Sequence, residues 1–321
     1  MANTVDTSDA YSKPPDALKV RFKFWQKASI ANIETSADIT ESKPSHDTYD
    51  VCSGSNGDME VTPAMVSYAT QRAFEVEDFP GLIIYPDMLP PSLQVGLLNR
   101  LLHRDLSNPE HMTNVHLFHH MQYPDTVGPE TAKVGSFFGM DPTHELLPKD
   151  TAVHKPLSIE RLLSRKLRWM TLGGQYDWTN KKYPDEVPPA FPADIAQLLR
   201  TVFPDVDAQA AIVNLYTPGD ILAVHRDVAE ECDRGLISIS IGCDALFLVG
   251  NEDGTKHATL RLRSGDAVVM SGTSRYAWHG VPKILPNTCP DYLREWPEEY
   301  PRWKGWMTSK RINLNVRQMH E

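Results

Sequence analysis

The sequence predicts an α+β fold, with helices in the first part of the chain packed on one side of an antiparallel β-sandwich or barrel. Three observations predict it. Apolar residues recur at helical spacing after Pro90 and after Pro192. From Ala210 to Arg317 they come instead in short alternating or β-branched runs. Pro-Gly, Asp-Gly and Ser-Gly turns separate those runs at regular intervals.

The elements follow in order. Residues 1–60 hold six basic and ten acidic residues, net −4. Within them Leu18 to Trp25 alternates apolar and basic residues, which reads as a strand, with a short docked helix as the alternative. Asn32 to Gly57 is rich in Ser, Thr, Asp and Gly and reads as a flexible linker. Gly81 to Tyr85 is a short buried strand. Pro90-Pro91-Ser92 then opens a helix with Leu93, Leu97, Leu98, Leu101 and Leu102 on one stripe. Leu106 to Asp150 is loop-like. A second helix covers Ile159 to Leu167, and a third follows Pro192 with Ile195, Leu198, Leu199, Val202 and Phe203 inward. Strands are expected at Ala211–Tyr216, Leu236–Ile241, Ala245–Val249, Thr259–Arg263, Ala267–Met270 and Arg311–Arg317. There is no internal repeat. The chain therefore divides into an N-terminal extension, 1–75, partly flexible, and a folded domain, 76–321.

Composition narrows the function. The 321 residues carry 32 Lys and Arg against 42 Asp and Glu, a net charge of −10. Nucleic-acid binding by bulk positive charge is excluded; any such contact needs a local basic patch. No apolar run approaches the roughly 20 residues that span a bilayer. The first residues carry no basic, apolar signal, and their acids argue against a transit peptide. Cys52, Cys232, Cys243 and Cys289 are scattered without a CxxC pair, which excludes a disulfide scaffold and points to a reducing compartment. The expected location is intracellular: nucleus, cytoplasm or mitochondrion.

The chemistry starts at His225-Arg226-Asp227. Residues two apart on an extended chain share a face, so an imidazole and a carboxylate can reach one ion. His279 follows in Trp278-His279-Gly280. Two histidines and one carboxylate leave three coordination positions open, the facial triad of non-haem Fe(II) oxygenases. Alone, His-x-Asp is more often surface polarity. Arg311-Ile-Asn313-Leu-Asn315-Val-Arg317 adds weight by alternating polar and apolar residues throughout. It is either a strand with a solvated face or one whose polar face lines a cup, where a buried guanidinium needs an anion. Asn214 and Tyr216 share a face upstream of the Pro218-Gly219 turn.

Three blocks then stand together: Asn-x-Tyr-x-Pro-Gly-Asp-x-Leu-x-x-His-x-Asp at 214–227, Ser-Gly-Asp-Ala-Val-Val-Met-Ser-Gly-x-Ser-Arg-x-x-x-His-Gly at 264–280, and Arg-x-Asn-x-x-x-Arg at 311–317. They resemble the AlkB family of Fe(II)/2-oxoglutarate dioxygenases. Lys166 to Tyr183 and Arg21 to Lys27 resemble its eukaryotic homologue-one branch. The resemblance covers most of the chain outside about 32–75 and 106–150. It implies a double-stranded β-helix, or jelly roll, with N-terminal helices buttressing the larger sheet and a catalytic core at about 210–321. It implies that His225, Asp227 and His279 bind Fe(II), and that Arg311 pairs with the distal carboxylate of 2-oxoglutarate. Asn214, Tyr216, Asn313 and Arg317 match the remaining co-substrate contacts. O2 is consumed, 2-oxoglutarate becomes succinate, and a hydroxylated N-methyl group leaves as formaldehyde.

In this family a flipped-out base is clamped against an aromatic ring. Trp169, Tyr176 and Trp178 match that lid, about 160–192, by spacing; core packing is the alternative. Charge runs are +4 over 160–183 and +4 over 301–321, patches that could hold phosphates on one face. Where bacterial members place a base-reading acid, this chain has Ala229, followed by Glu230 and Glu231. The Trp-rich stretch between Pro282 and Trp306 is an insertion that reads equally as a lid or a packing element. His116, His119 and His120 read as surface histidines. The expected substrate is methylated nucleic acid, methyladenine in DNA or tRNA. The alternatives are a protein hydroxylase or demethylase with the same iron site and a catalytically dead binding module. No membrane contact is expected and no oligomer is predicted.

Overall fold

The computed structural model describes residues 11–41, 61–125, 135–184 and 186–321. The α-helices are α1 (Asp16–Lys27), α2 (Ile30–Glu34), α3 (Pro63–Arg72), α4 (Pro91–Asn99), α5 (Ile159–Arg161) and α6 (Ala193–Val202). The strands are β1 (Ile39–Glu41), β2 (Phe74–Glu75), β3 (Leu82–Tyr85), β4 (Glu145–Leu146), β5 (Leu157–Ser158), β6 (Trp169–Gly173) and β7 (Ala210–Tyr216). They continue as β8 (Leu222–His225), β9 (Leu236–Gly242), β10 (Ala245–Gly250), β11 (His257–Leu262), β12 (Ala267–Met270), β13 (Trp278–Ile284) and β14 (Arg311–Arg317). All six strands expected from Ala210 onward form, with ends shifted by two residues at most. No helix among the described residues is long and apolar enough to cross a membrane.

Two sheets form the body. One runs β1-β11-β10-β13-β8 and the other β2-β3-β12-β9-β14-β7-β6. Every pairing within them is antiparallel except β1 with β11. β14 sits between β7 and β9, so both its edges are paired and both its faces are covered. Arg311 is 2% and Arg317 4% exposed, while Ile312, Leu314 and Val316 are at most 1%. The solvated-face reading of this strand is therefore wrong. Its polar side chains point into the space between the sheets, and its apolar ones face the helical layer.

Helix formation follows the expected stripes. Leu93, Leu97 and Leu98 of α4 are buried, as are Leu101 and Leu102 on the π-helical turn that extends it. α6 buries Ile195, Leu198 and Leu199. α5 continues as a π-helical turn to Lys166, covering the expected second helix.

Three expectations need correction. Leu18 to Trp25 lies in α1, not in a strand. Leu18, Phe22 and Trp25 fall on one helical stripe and are buried, whereas Val20 and Phe24 face outward. α1 also lies on the smaller sheet, not the larger. Trp25 Nε1 donates to Thr259 Oγ1 of β11 at 2.8 Å, and Leu18 fills the space above Gly250 of β10. The outer face of that sheet is apolar at Leu246 and needs cover, so helices contact both sheets, with α3 against β3. Thirdly, the start of the expected linker, from Asn32 to Glu41, is folded. α2 and β1 occupy its start, and Arg261 ties Glu34 (2.9 Å) and Glu41 (3.5 Å) to β11. The rest of that linker from residue 42, with Cys52, lies outside the described residues. The remaining three cysteines are free and buried.

The Trp-rich insertion is a packing element. Trp296, Trp303 and Trp306 each place a ring 5.3–5.7 Å from that of Phe138. Trp296 Nε1 donates to Asn99 Oδ1 and Trp306 Nε1 to the Leu163 carbonyl, joining the insertion to the helical layer.

Candidate active site

The two histidines arrive on neighbouring strands. β8 pairs with β13 in a register that sets His225 opposite His279, with ring centroids 4.4 Å apart. Close approach of the strands is possible because residue 280 is glycine. A Cβ there would lie 2.9 Å from the Leu222 carbonyl oxygen. Each imidazole uses Nδ1 on a local carbonyl, His225 on Ala223 (2.8 Å) and His279 on Ala277 (3.1 Å). A carbonyl only accepts, so Nδ1 carries the hydrogen in both rings and each Nε2 keeps its lone pair. Asp227 sits just past β8 and turns back between them. Its Oδ1 is 3.6 Å from His225 Nε2 and its Oδ2 3.9 Å from His279 Nε2. One ligand atom from each residue lies within 4.8 Å of the others, as one ion requires.

Electrostatics keep Asp227 and His279 in their binding states, whereas His225, against the effect of its burial, is raised by the Asp227 carboxylate beside it. Burial opposes ionisation of Asp227, but the Arg317 charge, helped by both imidazoles, holds its carboxyl well below the usual carboxylate range. Arg317 Nη2 donates to Asp227 Oδ2 at 2.9 Å, and Asn315 Nδ2 to the same oxygen at 3.3 Å. Burial, and then His225, push His279 down to about 4, so it is the neutral imidazole that metal ligation needs. Arg317 is held in turn by Glu230 at 2.8 Å, and Glu230 by Arg275 at 2.9 Å. Arg275 also donates to the Asp227 carbonyl (2.9 Å), closing a buried ring of charges around the ligand.

At the floor of the cup Arg311 stands apart. β14 register sets it opposite Tyr216 on β7 and Gly242 on β9. Gly242 has φ +100°, open to glycine at no cost. Arg311 Nη2 donates to Ser240 Oγ at 2.8 Å, yet Nε has no partner and no carboxylate among the described residues pairs with it. The Tyr216 hydroxyl and Asn315 Oδ1 are also buried without partners. Burial pushes the Tyr216 phenol up to about 12, so it remains a donor. A buried guanidinium and an unused phenol form the receptor for an anion. These orphaned donors fit the distal carboxylate of 2-oxoglutarate, with the metal donors at the other end of the same chamber. Asn313 is spent differently, on Ser238 Oγ (2.8 Å) and the Ile239 carbonyl (3.1 Å).

Outside the cup opens a cleft of about 290 Å³. His225, Asp227, Asn214, Asn315 and Arg317 form its inner end, and Tyr176, Trp178 and Lys181 its outer wall. Trp169, on β6, is behind that wall, its ring 5.2 Å from Trp178. Tyr176 meets Trp178 edge-on at 4.9 Å. Two of the three expected aromatics thus line the cleft, and the third supports them. Ala229 and Glu230 line it too, and Glu231 pairs with His320 outside it. Glu230 has one carboxylate oxygen on Arg317 and the other on Arg275, so it braces the site. Sequence reasoning did not single out Arg275, although it lies in the quoted Ser-Arg-x-x-x-His block, and it counted Lys181 only within the basic run at 160–183. The +4 run at 301–321 is not a surface patch: Lys310, Arg311 and Arg317 are buried, and Lys304 pairs with Glu295. His116 and His119 are structural, bonded to Tyr123 and the Lys155 carbonyl.

Comparison with known proteins gives a consistent picture. The sequence profile of the 2OG-Fe(II) oxygenase superfamily matches residues 139–317. The chain is 44% identical to the N6-methyladenosine RNA demethylase ALKB1 of Pyricularia oryzae, across 98% of each chain. It is 41% identical to the tRNA demethylase abh1 of Schizosaccharomyces pombe, over 77% of this chain and 82% of that one. A solved structure of OsALKBH1 superposes with a TM-score of 0.50 at 19% identity, over 77% of this chain and 99% of its own.

Proposed function

The chain belongs to the 2OG-Fe(II) oxygenase superfamily, and from that premise we propose that it removes N-methyl groups from bases of nucleic acid, methyladenine in RNA first among them. The observation that carries this reading is the aromatic cleft of Tyr176 and Trp178, which opens directly onto His225 and Asp227 of the metal-donor set. A planar base stacks against such a ring, and its methyl group then faces the metal donors. The relatives in Pyricularia and Schizosaccharomyces, named as RNA and tRNA demethylases, support the same substrate class. The two sheets read as the faces of a double-stranded β-helix within 76–321, with 160–192 as the lid and 1–75 as an extension that adds β1 and β2 to their edges.

Fe(II) and 2-oxoglutarate, when bound, supply the oxidation: one oxygen atom of O2 enters succinate as CO2 leaves, the other converts N–CH3 to N–CH2OH, which releases formaldehyde and leaves N–H. The protein's part is positional. His225, Asp227 and His279 would hold the ion, each through one donor atom. Arg311 and Tyr216 orient the co-substrate by its far carboxylate. Arg317 and Asn315 keep Asp227 ionised and aimed. Trp178 and Tyr176 exclude water and present the base.

The test is product analysis by mass spectrometry on methylated RNA, tRNA and DNA oligonucleotides, with His225→Ala as the blank. Formaldehyde and succinate in equal amounts with loss of the base methyl are expected. Succinate uncoupled from every oligonucleotide, or faster turnover of a basic methylated peptide, would overturn the substrate assignment.

A further inference from the structure

A second concave site lies beyond Trp169, on the side away from the iron cleft. It is a pocket of about 490 Å³ between the turn at Asn114–Leu117, the segment 154–157 and the π-helical turn ending at Lys166. Lys155, Arg161, Arg165, Lys166 and Arg168 line it, and no carboxylate does. Of these five, only Arg168 has an ion-pair partner among the described residues, Asp220. In a chain of net charge −10, five clustered cations with one counterion are a built feature, not an average surface.

The pocket is preformed. Asn114 Oδ1 accepts from the Arg168 and Trp169 amides (2.8 and 3.3 Å), and its Nδ2 donates to the Lys166 carbonyl (2.8 Å). His119 Nε2 donates to the Lys155 carbonyl at 3.0 Å, fixing the opposite wall. Phe118 stands at the rim, 45% exposed, with the His154 ring 4.7 Å away. Cations in a groove with an aromatic platform are how proteins hold single-stranded nucleic acid: charges take phosphates, and a ring takes a base. Arg168 precedes Trp169, whose ring backs Trp178.

We propose that this pocket binds the phosphodiester backbone of the single strand leading to the flipped base, with a neighbouring base stacked on Phe118. The inference rests on the demethylase reading and adds a second point of attachment to it. A strand reaching both sites gains affinity by linkage.

The experiment measures binding of the full chain to RNA 5-mers and 20-mers carrying one N6-methyladenosine, by fluorescence anisotropy between 50 and 200 mM salt. Lys155, Arg161 and Arg165 are exposed, so the triple variant Lys155→Ala/Arg161→Ala/Arg165→Ala leaves the core intact. It is expected to erase the 20-mer's advantage over the 5-mer, on the order of tenfold, and to lower the salt slope by about 2. Phe118→Ala is expected to weaken the 20-mer about tenfold. An unchanged 20-mer affinity and slope in the triple variant, with wild type demethylating RNA, would overturn the pocket alone. If wild type demethylates nothing but the variant still loses 20-mer binding, the pocket stands and the demethylase reading falls. Loss of binding to phosphatidylserine vesicles without loss of RNA binding would assign the pocket to lipid headgroups and overturn the proposal.

Discussion

Arg311 is a cation kept waiting in a dry chamber. Its cost is burial without a counterion, and its use is to hold an anionic co-substrate. Arg311→Met therefore has two opposed effects. Removing a charge-assisted bond to a carboxylate costs about 2–5 kcal/mol, so the KM for 2-oxoglutarate rises by at least about thirtyfold. Thermal stability of the metal-free protein does not fall, because an apolar side chain replaces an unpaired charge. Succinate formation against 2-oxoglutarate concentration checks the first, and a melting curve the second. Tyr216→Phe removes only a hydrogen-bond donor to the same carboxylate. A KM increase of about tenfold with little change in kcat is expected, the worth of a bond to a charged group.

Strand packing carries the metal geometry. β8 and β13 approach over Gly280, and His225 ends one strand while His279 lies on the other. Gly280→Ala places a methyl group 2.9 Å from the Leu222 carbonyl oxygen and 3.1 Å from the Val224 amide nitrogen, both rigid backbone. β8 must move away, taking His225 with it. Co(II) affinity, read by titration, is expected to drop at least about tenfold, as when support around a metal ligand is lost. α1 makes a contrasting case. Trp25 is 1% exposed and bonded to Thr259 in the sheet. Trp25→Ala is expected to cost roughly 3–5 kcal/mol in denaturant unfolding. A loss under 1 kcal/mol would mean that this helix is an appendage and not part of the catalytic fold.

Across the whole molecule, charge is sorted by depth. Among the described residues Arg275, Arg311 and Arg317 are internal, and a basic pocket lies outside. Lys310 joins the layers: its ammonium donates to the Ser164 carbonyl and to Thr217 Oγ1 (3.1 Å). Burial pushes it down to about 8. Since the unfolded lysine titrates near 10.5, the unfolded state binds more protons between these values and folding gains stability as pH rises from about 8 toward 10. Lys310→Met removes that dependence. The stability difference between variant and wild type shifts in favour of wild type by on the order of 3 kcal/mol from pH 7 to pH 10, read as paired urea midpoints.

Much of this site was legible in the chain because strands report themselves locally. Alternation along Arg311–Arg317, the His225-x-Asp227 pair and the turn at Gly219 are nearest-neighbour patterns that pointed to a metal-binding pair and a polar strand face; the co-substrate roles came with the family resemblance. α1 misled for the same reason: alternating basic residues imitate a strand until the buried stripe of Leu18, Phe22 and Trp25 is seen against β10 and β11. Other features depend on residues distant in sequence. Whether β14 faced water or a chamber, and whether the Trp-rich insertion covered the cleft or filled the core, were open until the strands were stacked, and the bracing of Arg317 by Glu230 was not foreseen. Local residue order determined the chemistry available to this protein. Only the tertiary structure decided which charges lie buried and unpaired, because desolvation is set by what packs around a group and not by its neighbours in the chain.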